Sequence, residues 1–312
     1  MPYIAFVGMI GTRASALASN QEYTDAINDF NNSLKQVSSI CQCTIYGYSD
    51  NAYIQIENLS DMISFFRILR ATLMNKHRYF VATVDTGSLK SERVPLEKHK
   101  GFSMKFTDPT TVDIYMQQCQ FSGIGIYLSK SVVDNLKEQN IQDTYCQSVF
   151  QRRLGANNEI VPFYDLSYNS LIFENLEYII SDYLITSTTD ERAGRYYITP
   201  VISMIKSLDK EALVEDIDKL ISLLSFQVIP DAFRSLPNNE EYSLFFMFAL
   251  IECILSLREQ DKSIDATKIC ERIIKGYNVN NRRLVEGISS ISTAIITNIN
   301  KRKFINILYN MK

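Results

Sequence analysis

A tight hairpin lying between two helical segments constrains the fold of this chain more than any other feature. The stretch "ICQCTIYGYSDNAYIQI" predicts two strands, residues 40–46 and 52–56, around the turn-forming cluster Ser49-Asp50-Asn51. Apolar residues recur at helical spacing before the hairpin, over 20–37, and after it, over 60–73. Parallel strands need long crossover connections, so a doubly wound parallel sheet would lack such a hairpin. The pattern favours a mainly antiparallel sheet.

Strand-like and helical runs alternate through the rest of the first half. Strands are predicted over 3–9, 78–87, 101–106 and 123–129, and a helix is predicted from Pro109. The resulting order is β-α-β-β-α-β-α-β. Helices packed on one face of a mostly antiparallel sheet, in the ferredoxin-like manner, satisfy this order. We therefore expect an α+β fold here.

The second half of the chain predicts helices almost throughout. Helical segments are expected near 171–184, 197–207, 210–225, 240–258, 264–275 and 284–300. The most apolar stretch, residues 242–257, contains Glu252 and is shorter than the roughly twenty apolar residues of a membrane span. We expect an α+β domain over 1–165 and an all-α domain over 166–312, with no membrane span and no role indicated for the helical part.

Charge and cysteine content disfavour two classes of partner. The net charge of −3 gives no electrostatic reason to expect nucleic acid. The six cysteines form no C-x-x-C pair and the chain has two histidines, which disfavours a zinc site. Met1-Pro2 leads directly into the first predicted strand without a secretory signal. A reducing cytoplasm is the expected setting.

The first strand and the hairpin tip carry the pattern that could bind a nucleotide. In "YIAFVGMIGTRASAL", residues 3–17, a strand ends at Gly11-Thr12 and a helix follows, an arrangement that can place backbone N–H groups beside a phosphate. Two carboxylates on neighbouring strands could hold two divalent cations, one to activate a hydroxyl and one to neutralise a triphosphate. Asp50 supplies one carboxylate, whereas the first strand offers Gly8 and Met9.

These residues resemble those of class III nucleotidyl cyclases. "FVGMIGTR", residues 6–13, is similar to the "F-x-D-I-x-G-T/F" opening of that family, and "YGYSDNAYI", residues 46–54, resembles its hairpin with the second metal aspartate. The variant "SDN" is most similar to the bacterial pyrimidine (uridylate and cytidylate) cyclases of Pycsar antiphage systems. The resemblance covers residues 3–165.

The resemblance implies a specific activity. Such enzymes convert a nucleoside triphosphate to its 3′,5′-cyclic monophosphate and pyrophosphate with Mg²⁺ or Mn²⁺, and their active sites form between two chains. The expected function is therefore a homodimeric lyase that converts UTP or CTP to a cyclic nucleotide. A separate effector protein would read that nucleotide as an antiphage signal.

The family's site residues transfer to four positions. Asp50 matches the second metal ligand, and Gly11 and Thr12 match the phosphate-binding turn. Tyr46 occupies the position of a base-reading lysine in purine cyclases, where a tyrosine would narrow the pocket and favour a pyrimidine. Its alternative interpretation is a tyrosine packed in the strand.

The departures from the family pattern favour a second interpretation. Gly8 stands at the first metal aspartate and has no side-chain oxygen, while Asp113 and Gln117 take the places of the asparagine and arginine that steady the transition state. The alternative is a catalytically inactive pseudo-cyclase, a nucleotide-binding or dimerising regulatory module. A helical adaptor with an unrelated α+β domain is a third interpretation.

Three residues could compensate for these losses. Asp85 could supply a carboxylate from another strand, and Arg13 or Arg78 could contact the phosphate. A turn aspartate and surface or structural arginines are the ordinary interpretations of these residues.

Overall fold

The computed structural model places the chain in two compact units, Met1–Leu166 and Ser167–Lys312. The residues that the structure describes are 2–95, 102–119, 121, 123–141, 145–154, 159–168, 172–187, 194–227 and 239–311.

The first unit alternates strands and helices. Its strands are β1 Tyr3–Ile10, β2 Cys43–Tyr48, β3 Asn51–Ile56, β4 Tyr79–Thr86, β5 Ser91–Pro95, β6 Phe102–Phe106, β7 Gly125–Leu128, β8 Tyr145–Leu154 and β9 Glu159–Leu166. Its helices are α1 Thr12–Ala18, α2 Asn20–Ser38, α3 Leu59–Met74, α4 Pro109–Gln118 and α5 Lys130–Glu138. Polar side chains fix several helix starts: Asn58 accepts from the backbone N–H of Asp61 at 2.8 Å, and Asp108 accepts from that of Thr110 at 2.9 Å.

A seven-stranded sheet in the order β2-β3-β1-β4-β7-β9-β8 organises this unit. Strands β2, β3, β1 and β4 pair antiparallel, which is the β-α-β-β-α-β arrangement of ferredoxin-like sheets. Strands β4 and β7 pair in parallel, so the chain between them makes a crossover that contains β5, β6 and α4. The register places Gly8 of β1 between Asn51 of β3 and Val81 of β4.

The two faces of the sheet carry different helices. Because strand side chains alternate, Val7 and Met9 lie on one face with the buried residues of α2, α3 and α5. Ile4 and Phe6 lie on the other face and pack with Ile114 of α4. The predicted α+β sheet followed by helices is confirmed. Helix α4, which the sequence places between two strands, covers the face opposite to α2, α3 and α5.

The second unit is helical in its described residues. Its helices are α6 Ile172–Ser187, α7 Arg195–Ser207, α8 Lys210–Glu215, α9 Ile217–Leu224, α10 Asn239–Gln260, α11 Ala266–Tyr277, α12 Asn281–Ser290 and α13 Asn298–Asn310. The predicted helix over 284–300 is wrong, because the helix in this region ends at Ser290, where Ile291 adopts an extended backbone with φ −70° and ψ 148°. Thr297 then begins α13, and its side chain accepts from the N–H of Asn300.

Helix α10 contains the most apolar stretch of the sequence. Met247, Leu250 and Ile254 have no exposed side-chain surface, so this helix packs inside the second unit. None of the helices in the described parts of the chain is both long enough and apolar enough to cross a membrane.

Candidate functional site at the end of the first strand

The turn after β1 depends on Gly11. This residue has φ +89°, a left-handed backbone conformation that L side chains rarely adopt, and it stands directly before α1. A β-carbon there would meet nothing within 4 Å, so backbone conformation and not crowding favours glycine. No side chain of the turn caps the first N–H groups of α1. The turn therefore leaves backbone donors beside Thr12.

The β2–β3 hairpin brings Asp50 to this turn. The backbone N–H of Met9 donates to the carbonyl of Asp50 at 2.9 Å, which fastens the hairpin tip to β1. The Thr12 hydroxyl donates to Oδ2 of Asp50 at 2.8 Å, and the side-chain amide of Asn51 donates to Oδ1 at 2.6 Å. The structure thus brings Gly11, Thr12 and Asp50 together, although 38 residues separate Thr12 from Asp50.

Two amide side chains lie over Gly8. A β-carbon on Gly8 would lie 2.6 Å from Nε2 of Gln118 and 2.8 Å from Oδ1 of Asn51, closer than real β-carbons approach such atoms. A side chain at position 8 would therefore require the amide ends of Gln118 and Asn51 to move. The sequence interpretation missed both residues. The only signal for Asn51 is its place beside Asp50, and none singles out Gln118.

The residues present do not fit a pair of divalent cations. Gly8 offers no carboxylate beside Asp50, and no group of three His, Cys, Asp or Glu side chains in the described segments could hold a metal. Asp85 cannot replace the missing aspartate. It lies opposite Ile4, about 13 Å along the sheet from Gly8, and it accepts hydrogen bonds from Ser129 and Ser131 at 2.6 Å. A single cation held by Asp50 and substrate phosphates remains compatible with these residues.

The two residues that match the transition-state pair of the cyclase family differ in burial. Asp113 is exposed, whereas Gln117 is buried beneath α4, and its Oε1 has no hydrogen-bond partner in the described structure. Arg78 donates to Glu22 at 2.7 Å and to Asp29 at 3.4 Å on α2. The side chain of Arg13 lies outside the described residues. The α4 side chain that lies over Gly8 is that of Gln118, the next residue along the helix after Gln117.

Tyr46 belongs to an aromatic group on the α4 face of the sheet. It pairs with Tyr53, which in turn pairs with Phe6, so Tyr46 lies two strands, or about 10 Å, from β1. Its hydroxyl accepts from Ser91 at 2.8 Å, and its ring lies 5.8 Å from that of Phe106 at 85°. The ring of Tyr46 is therefore packed beside the sheet, and its phenolic O–H is still able to donate.

Two further tyrosines of this aromatic group, Tyr53 and Tyr48, keep their phenolic protons at neutral pH. Burial raises the pKa of Tyr53 to about 12. Burial also raises the pKa of Tyr48, and the nearby Tyr115 and Asp50 raise it further. Tyr48 lies in the strand row of Asn51 and Gly8. The site therefore carries neutral hydroxyl and amide groups around one carboxylate.

Comparisons with known proteins give structural likenesses that cover about half of this chain. No family model matches this chain, and no curated protein sequence matches it. Among solved structures, the guanylyl cyclase Cya2 is 12% identical with a TM-score of 0.43, over 55% of this chain and 93% of that one. The adenylyl cyclase CyaB from P. aeruginosa is 11% identical with a TM-score of 0.43, over 55% of this chain and 95% of that one. Adenylate cyclases from Trypanosoma brucei are 10% identical with a TM-score of 0.43, over 53% of this chain and 88% of the other.

Proposed function

We propose that this chain is a nucleotidyl cyclase-like protein whose first unit binds a nucleoside triphosphate without cyclising it, as a regulatory module. The observation that carries this proposal is the 2.8 Å hydrogen bond between Thr12 and Asp50, which joins a left-handed glycine turn to the hairpin tip. A phosphate beside Gly11 and Thr12 would meet free backbone N–H groups and a hydroxyl. Gly8 removes the carboxylate that a second cation would need.

Each residue has a separate role in this proposal. Gly11 and Thr12 contact the phosphates, and Asp50 holds a single Mg²⁺ or Mn²⁺ that neutralises the triphosphate. Tyr46 contacts the base from the neighbouring strand row, with its phenolic O–H as donor. Without a second cation, nothing in the described site activates a ribose hydroxyl for attack.

An exposed apolar group on α4 supports a homodimer. Val112, Tyr115 and Met116 are 57%, 42% and 50% exposed, and their spacing places them on one side of the helix. Tyr48, at the hairpin, is 50% exposed. Such neighbouring apolar surface favours an interface, and we propose a second copy of this chain as its occupant. Loss of a dimer in sedimentation after Met116→Glu, with no loss after Val94→Glu, would support this; a monomeric native chain would contradict it.

An active pyrimidine cyclase is the second candidate. Tyr46 favours this candidate, because a tyrosine ring at this position narrows the space for a base more than a flexible lysine does. Contacts with Phe106 and Ser91 hold the Tyr46 ring in place. In this candidate the chain converts UTP or CTP to a cyclic nucleotide in phage defence, and a separate effector reads the product.

One experiment separates the two candidates. Native protein is mixed with UTP, CTP, ATP or GTP and Mn²⁺, while calorimetry follows binding and chromatography follows cyclic nucleotide and pyrophosphate. We expect binding with the triphosphate recovered intact, and a loss of affinity of about tenfold or more in Asp50→Ala. Asp134→Ala, an exposed carboxylate of α5, is the matched control and should bind as the native chain does.

Two other outcomes are decisive. Cyclic product from the native chain that disappears in Asp50→Ala would establish the second candidate. Neither binding nor product with any of the four nucleotides would contradict both.

A further inference from the structure

The space over Gly8 is filled by neutral side chains. Gln118 reaches it from the last turn of α4, and Asn51 reaches it from the start of β3. Their amide ends lie 2.6 Å and 2.8 Å from the point where a β-carbon of residue 8 would be. The backbone carbonyl of Gln118 accepts from the N–H of Phe121 at 3.0 Å, while its side-chain amide is the group that faces Gly8, and Gly8 itself offers only backbone groups. This space therefore has amide groups where a carboxylate would project.

Asp50 is held without a cation. Its Oδ2 accepts from Thr12 at 2.8 Å, and its Oδ1 accepts from Asn51 at 2.6 Å. Each carboxylate oxygen has further acceptor capacity, so one cation can bind on the open side without breaking these bonds. Asn51 thus links the two halves of the site, because its Nδ2 holds Asp50 while its Oδ1 faces Gly8.

The cation ligands of the site follow from this arrangement. In a two-cation site, carboxylates and phosphate oxygens together hold the two divalent cations. Here one carboxylate remains, and an amide oxygen is a weaker ligand for Mg²⁺ than a charged carboxylate. The second cation would lose its anionic ligand while the first would keep Asp50.

We infer that the end of β1 binds a nucleoside triphosphate with one divalent cation and not two. The amide ends of Gln118 and Asn51 occupy the space in which a carboxylate at position 8 would hold a second cation. This inference rests on the proposed function and adds that Gln118 determines the number of cations. The ligand class is a nucleoside triphosphate with one Mg²⁺ or Mn²⁺. The complex is a bound state that needs no chemical step.

The test counts cations by electron paramagnetic resonance of free Mn²⁺. Native protein is titrated with Mn²⁺ in the presence of 3′-deoxyuridine triphosphate or 3′-deoxyadenosine triphosphate, which lack the hydroxyl needed for cyclisation. Calorimetry gives the number of nucleotides bound in the same samples. We expect one Mn²⁺ for each bound nucleotide in the native chain.

Gln118→Glu is the informative variant, because it changes an amide to a carboxylate of the same length without touching the backbone. We expect this variant to bind a second Mn²⁺ for each bound nucleotide. Gln36→Glu, on the exposed surface of α2 across the sheet, is the matched control and should bind one. Gly8→Asp should also bind two, provided that thermal unfolding shows a folded protein, since the displaced atoms are the ends of flexible side chains.

The outcomes distinguish the two proposals. Two Mn²⁺ for each nucleotide in the native chain would overturn this inference and leave nucleotide binding intact. One Mn²⁺ in native and in Gln118→Glu protein would overturn the role of Gln118. No nucleotide-dependent Mn²⁺ binding in any variant, with no nucleotide bound, would instead contradict the proposed function.

Discussion

The Thr12 hydroxyl donates a 2.8 Å hydrogen bond to the carboxylate of Asp50, and this contact joins the first helix to the tip of the β2–β3 hairpin. The backbone bond from Met9 to Asp50 fixes the same hairpin from the strand side. Together the two bonds define the position of the carboxylate before any ligand is present.

Thr12→Val should lower both stability and nucleotide affinity. The substitution keeps the branched shape but removes the donor, so one part-buried hydrogen bond is lost, at a cost of about 1 kcal/mol. Urea denaturation measures the stability, and calorimetry with UTP and ATP measures the affinity. Thr24→Val, which removes an exposed local hydrogen bond to Asn20, should leave the affinity unchanged. Equal affinity of native and Thr12→Val protein would exclude the hydroxyl as a ligand contact.

Gly11→Ala should destabilise the first unit through the backbone alone. A β-carbon at φ +89° costs about 1–2 kcal/mol, although the surrounding space is open. Gly47→Ala is the matched control, because Gly47 lies in β2 with its nearest neighbour 3.8 Å from the added carbon and has no left-handed φ. Chemical denaturation of the two variants should show a loss for Gly11→Ala only. Equal stability of both would show that the turn relaxes freely.

Arg78→Gln should lower the free energy of unfolding without changing the affinity for nucleotide. Arg78 is 18% exposed at its side chain and donates to Glu22 and Asp29, so its removal leaves a partly buried acidic pair and costs about 1–3 kcal/mol. Calorimetry should give native affinity. Arg282→Gln breaks an ion pair in which Arg282 is 88% exposed, and it should change neither quantity measurably. A loss of nucleotide affinity in Arg78→Gln without a loss of stability would show that Arg78 contacts the nucleotide.

Alkaline pH should destabilise the first unit through Tyr53. Burial raises the pKa of Tyr53 to about 12, above the value of 10 in an unfolded chain. The unfolded state therefore releases this proton first, and the stabilisation present below pH 10 is lost as the pH rises towards 12. Denaturation at several pH values between 9 and 12 should show a shallower decline for Tyr53→Phe. The same decline of stability in native and Tyr53→Phe protein would mean that Tyr53 does not contribute. Tyr309→Phe is the control, because Tyr309 is 75% exposed.

The sheet could be predicted because its signals are local. The hairpin around Asp50 and the apolar run from Tyr3 to Met9 each depend on neighbouring residues, and the structure contains both strands of the hairpin and the first strand. The pairing of β2 with β3 then follows, since two strands joined by a tight turn pair with each other.

The contacts over Gly8 could not be predicted, because they depend on how α4 sits on the sheet. Consecutive helix residues differ in direction by about 100°. The match of Gln117 to the family's arginine position therefore gave no indication that Gln118 would lie over Gly8. Asn51 was missed for a different reason. Its side chain points to the face of the sheet that α4 covers, and the sequence does not indicate which face that is.

The crossover between β4 and β7 has a consequence for how this site tolerates change. Gln117 and Gln118 are adjacent, so an insertion of one residue earlier in α4 would carry Gln117 towards Gly8 in place of Gln118. An insertion of two residues would bring Met116 there, and neither glutamine. The adjacent glutamines thus keep an amide over Gly8 when the helix lengthens by one residue but not when it lengthens by two.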